Sequence, residues 1–86
     1  MPMGELRAKE ALRVASDWLN MSDAPGKDGA IDGIANAIPL VMMGEIEAEN
    51  LDDLAASVLR CSSSSGSTDV QAAVNAAFAF VKSKSN

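Results

Sequence analysis

Twelve acidic side chains, one thiol and no histidine make up most of this chain's reactive inventory. Two of the acids stand where a metal could hold them. In the segment "PGKDGAIDG", Pro25 to Gly33, the run Asp-Gly-Ala-Ile-Asp follows an amphipathic stretch, as it does in a helix-loop-helix calcium site. With Gly29 as the central glycine of such a loop, Asp28 and Asp32 fall on its fifth and ninth positions. The first position is then Ala24, the third Gly26 and the twelfth Ala35, so the carboxylates that calcium most needs are missing. A simpler reading takes Pro25-Gly26 as a turn and Asp28 as the cap of a helix opened by Gly29 and Ala30. No metal and no cofactor is expected.

Other chemistry is equally constrained. Without histidine the chain lacks the commonest general base and the commonest metal ligand. Cys61 has no second cysteine to pair with and only Arg60 beside it, where a reactive thiolate wants a helix N-terminus or several cations. The reading is therefore non-enzymatic, with no catalytic residue assigned. What remains is charge. Glu45, Glu47, Glu49, Asp52 and Asp53 lie in "EIEAENLDD" with no basic residue among them, and the whole chain carries −5. Asp52 and Asp53 suit the start of a helix. The three glutamates are spaced by two, so they share a face only if the segment is extended. Such a block steers a protein onto a basic partner. Phosphate binding needs the opposite sign, so no direct nucleic-acid contact is expected.

The elements that position these residues read as helices. Ala8, Ala11, Leu12, Ala15, Trp18 and Leu19 recur at three and four residues and predict a first helix ending near Asn20. Ile31, Ile34, Ala35, Ile38, Val41 and Met42 form a second stripe. Pro39 interrupts it, predicting a helix kinked or broken near that residue. Asn50 caps a third helix with Leu51, Leu54, Ala55, Val58 and Leu59 on its stripe, ended by "CSSSSGS". Thr68 to Gln71 has the spacing of a capping box and opens a fourth, with Val70, Ala73, Val74, Ala77, Phe78 and Val81 inward. That last helix is apolar almost all round. Phe80 lies off its stripe, and Ala72 and Ala76 add a second apolar face, so the helix is either central or a self-association surface.

The expected fold is thus all-α: a compact four-helix (alternatively five-helix) bundle of two α-hairpins, one domain over residues 1–86. A lone cysteine and an N-terminus without an apolar core segment point to a cytoplasmic protein. The longest apolar run, Ala37 to Met43, is far too short to cross a bilayer, so no membrane association is expected.

In length, acidity and helix number the chain resembles acyl carrier proteins and the immunity proteins of nuclease bacteriocins. The carrier's Asp-Ser-Leu attachment motif is not present; the nearest stretches are "ASDWL" and "AASVL". No family is assigned. The function expected is non-catalytic binding to a larger partner with a basic surface, to modulate or inhibit it, in the manner of an immunity or antitoxin protein. The alternative is a homodimeric scaffold joined through Phe80, Ala76 and Ala72.

Overall fold

A computed structural model describes residues 5–84. Residues 1–4 and 85–86, included in the single domain expected over 1–86, lie outside the described residues. Four helices follow one another: α1 (Glu5–Asn20), α2 (Lys27–Met42), α3 (Leu51–Cys61) and α4 (Thr68–Lys84). Among the described residues there is no strand. The fold is a small all-α four-helix bundle.

Its core follows the stripes read from the sequence. Leu12, Leu19, Ile34, Leu54, Val58 and Val74 are the largest side chains that are wholly buried, and alanines fill the gaps between them. Both α2 and α4 pack against every other helix, whereas α1 and α3 scarcely meet. The helical mass measures 31 × 27 × 16 Å. Its short dimension is room for two helix layers at an interaxial spacing of about 8–10 Å. α4 meets all three other helices through Val70, Ala73, Val74, Ala77, Phe78 and Val81, while Ala72, Ala76 and Ala79 on its second apolar face are exposed. Phe80, off its stripe, stacks on Trp18 of α1 at 6.0 Å between ring centroids and 27° between planes. Lys84 lies over the same ring at 5.4 Å.

The glycines of "PGKDGAIDG" let α2 approach its neighbours. Gly26, Gly29 and Gly33 follow one another at three and four residues, the spacing of one helix face. A Cβ on Gly33 would lie 2.6 Å from the Val58 carbonyl oxygen of α3, and one on Gly29 would lie 2.5 Å from Val70 of α4. Gly26 stands 2.4 Å, by the same measure, from the Asp69 backbone, and its φ of +83° also turns the chain into α2. The helix therefore starts at Lys27 with Gly26 as its N-cap. This corrects the assignment of Asp28 as the cap.

No break occurs at Pro39: α2 runs through it to Met42. Proline removes the donor that the Ala35 carbonyl would have received, but Ala35 is exposed, so water can take its place. What ends the helix is Gly44 at φ +75°. Its N–H donates to the Val41 carbonyl at 3.1 Å and the Glu45 N–H donates to the Leu40 carbonyl at 2.9 Å. These are the two bonds of a Schellman ending, in which a left-handed glycine satisfies the last carbonyls.

The other helix starts follow short polar residues. The Asp53 N–H donates to Asn50 Oδ1 at 2.9 Å, so Asn50 caps α3 as its sequence predicts. At α4 the cap lies one residue earlier than expected. Ser67 Oγ accepts from the Val70 N–H at 3.4 Å, and the Gln71 side chain reaches the Ser65 carbonyl instead of closing a box on Thr68.

Candidate protein-binding surface

The eight residues joining α2 to α3 form the acidic edge of the molecule. After the turn at Met43-Gly44, residues 45–48 are neither helix nor turn, and a bend at 49–50 leads into α3. Along this strap burial alternates. Ile46 and Ala48 pack against the core, while Glu45, Glu47 and Glu49 are exposed. The cause is the period of two of an extended chain: two apolar residues pin the strap to the bundle, and the intervening carboxylates all face solvent. Spacing by two, which would scatter these glutamates around a helix, here leaves all three exposed.

The other two acids of the block have structural partners. Asp52 accepts a hydrogen bond and ion pair from Lys82 Nζ of α4 at 2.9 Å, tying the start of α3 to the end of α4. Both side chains are largely exposed, at 80% and 54%, so the pair is worth under about 1 kcal/mol. Asp53 sits in the first turn of α3, where the helix dipole favours an anion. The five carboxylates thus divide into three outward charges on the strap and two in the first turn of α3.

Just before the strap, Met42 and Met43 are 55% and 64% exposed. Sequence reasoning placed Ala35 and Met42 on the inward stripe; the structure moves both outward, because α2 buries Ala30, Ile34, Ala37 and Val41 and turns the opposite face to solvent. A narrower buried arc could have been read from the glycine spacing, which marks the side that neighbours approach.

The other candidate positions are less concentrated. Ala72 and Ala76 are exposed on α4, and Phe80 is half-buried beneath Trp18 and Lys84. Cys61 is half-buried, and its carbonyl accepts from Asn36 Nδ2 at 3.0 Å. Asp28 and Asp32 lie on α2 and not in a loop, and Asp32 Oδ2 accepts both the N–H and the hydroxyl of Ser63, at 3.2 and 3.0 Å. Among the described residues no three His, Cys, Asp or Glu side chains converge as a metal site. Nor is any described helix long and apolar enough to cross a membrane.

Sequence reasoning missed the docking of the serine run. Ser62 is buried; its hydroxyl donates to the Gly29 carbonyl at 2.9 Å and accepts from the Ser64 N–H at 3.1 Å. With the Ser63–Asp32 bonds, this clamps the α3–α4 loop onto α2. A run of serines looks like a flexible linker by composition, and nothing in it marks which hydroxyl finds a buried acceptor. No known protein family, curated protein or solved structure matches this chain.

Proposed function

We propose that the chain is a non-catalytic protein-binding module that docks on a larger partner through a basic surface of that partner and modulates or inhibits it by occlusion. One observation supports this reading above others: the alternating burial of residues 45–49, which leaves Glu45, Glu47 and Glu49 all exposed along one short strap. Grouped outward carboxylates accelerate encounter with a basic surface, and apolar contacts beside them hold it. Met42 and Met43 supply such contacts one turn of chain away. Immunity proteins, antitoxins and anti-defence proteins are of this physical type, and a cytoplasmic setting suits the single unpaired cysteine.

The test is affinity capture from lysate of the source cells, comparing the wild type with Glu45→Gln, Glu47→Gln, Glu49→Gln combined. A stoichiometric partner held by the wild type, released by salt and lost with the triple variant is the expected result. Equal capture by both proteins, insensitive to salt, contradicts the reading.

Self-association through α4 is the second reading, favoured by the exposure of Ala72 and Ala76 on one face. Alanine side chains offer little area toward the roughly 1,200 Å² that a stable interface buries. Phe80, the largest residue of that face, already has Trp18 for a neighbour. The heteromeric reading therefore ranks first.

A further inference from the structure

The face of α2 opposite the core is apolar and unpartnered. Helical spacing groups Ala35, Pro39 and Met42 on it, with Ile38 at its edge against the core and Met43 just past the helix end. Ala35, Pro39 and both methionines are exposed, and Ile38 is half-buried. Asn36 is the only exposed polar residue between Ala35 and Met43, and it is turned to the Cys61 carbonyl at the border with α3. Charge brackets this face. Toward the helix start Asp28 is exposed beside Lys27 and Asp32 is bound to Ser63, and Glu45, Glu47 and Glu49 continue beyond its end as the stronger cluster. No lysine or arginine occurs anywhere between Lys27 and Arg60.

An apolar helix face with carboxylates beyond both ends has a definite complement. The partner element must be apolar along one stripe, to cover Ile38, Pro39 and the methionines. It must also be basic at both ends. A basic amphipathic helix has both properties, and its i, i+4, i+7 anchors match the pitch of the α2 face. Methionine suits this use because its unbranched thioether adapts to differently shaped anchors. A nucleic acid offers no apolar stripe, and an acidic peptide would meet like charge at both ends.

We propose that the Ala35–Met43 face of α2, with the Glu45–Glu49 strap, is a docking surface for a basic amphipathic helix of the partner protein. The proposal rests on the protein-binding reading and names the surface and the chemistry it takes.

The probe is a synthetic eighteen-residue Leu/Lys peptide of helical period, with a scrambled peptide of identical composition as control, each titrated into ¹⁵N-labelled protein. The helical peptide is expected to shift amide resonances of residues 35–49 and the scrambled one to leave them in place. Met42→Ser with Met43→Ser, both exposed and so harmless to the core, is expected to weaken binding by about tenfold, the loss typical of a central apolar contact. Shifts centred on Ala72, Ala76 and Phe80, or equal shifts from both peptides, overturn the proposal, as does a doubly substituted protein that binds as tightly as the wild type. Failure of this surface is distinct from failure of the broader reading. A natural partner still captured, and still dependent on Glu45, Glu47 and Glu49, while the α2 face responds to no helix, removes the docking surface and leaves the acidic module standing.

Discussion

The cost of adding one methyl group should differ sharply among the glycines, for reasons visible at each. Gly33→Ala drives a Cβ to 2.6 Å from the Val58 carbonyl, a backbone atom that cannot rotate away. Separating α2 from α3 at that point should cost about 1–3 kcal/mol, the usual range for overpacking. At Gly44 nothing lies within 4 Å, but φ is +75°, so Gly44→Ala should cost about 1–2 kcal/mol from backbone conformation alone. Gly66 has neither constraint, and Gly66→Ala should be neutral or stabilising by up to about 1 kcal/mol through the unfolded chain. Urea denaturation of the three variants measures this directly; equal midpoints would mean that α2 does not pack as closely as described. These glycines also show where reading the sequence stopped short. By propensity alone Gly29 and Gly33 are weak helix formers, which is true of an isolated helix. Their use in the fold depends on where Val58 and Val70 lie, and no local pattern carries that information.

At the scale of elements, caps and clamps decide where helices begin and how the loops lie. Asn50→Ala removes the acceptor of the Asp53 N–H and should cost about 1 kcal/mol, seen as a lower melting temperature with an unchanged far-ultraviolet spectrum. Ser62→Ala acts differently. It deletes the donor to the Gly29 carbonyl and leaves the Ser64 N–H without its acceptor, at a cost of about 1–2 kcal/mol. Because the loss is local, amide exchange should accelerate at Ser63–Gly66 well before the core responds. Uniform acceleration across all four helices would show that the clamp is part of the global fold instead. The helices themselves were legible because stripes at three and four residues report burial directly, and the Asn50 cap because its side chain serves its own backbone. The starts of α2 and α4 were each displaced by a residue or two. Asp28 competed with Gly26, whose left-handed backbone opens α2, and Thr68 with Ser67, whose hydroxyl takes the Val70 N–H. At Pro39 the sequence left a bent helix and a broken one both open, and α2 runs through it; which of the two occurs depends on whether the carbonyl that proline leaves bare faces solvent.

For the whole molecule, α4 packs against all three other helices, and the apolar face it leaves exposed is alanine, Ala72, Ala76 and Ala79, which offers little area toward a stable interface. The protein alone is therefore expected to have the native mass of one chain, 8.9 kDa, by light scattering. A mass of twice that, returned to one chain by Ala76→Glu, would instead favour the α4 dimer; that position is exposed, so the substitution is a cleaner probe than one at Phe80. The acidic edge was legible as composition but not as geometry. Spacing by two groups charges only on an extended chain, and the sequence leaves open whether Ile46 and Ala48 find a core to pin that chain against. They do, and the three glutamates between and beside them are left exposed.

Steering of the protein onto a basic partner by the acidic strap, as proposed, is tested by the association rate with the captured partner as ionic strength is varied. That rate is expected to fall steeply with added salt. In the Glu45→Gln, Glu47→Gln, Glu49→Gln variant a slower rate with a flattened salt dependence is expected, because rim charges act chiefly on encounter. Wild type and variant associating equally fast, with the same dependence on salt, would contradict the proposal and reduce the acidic strap to a solvated loop.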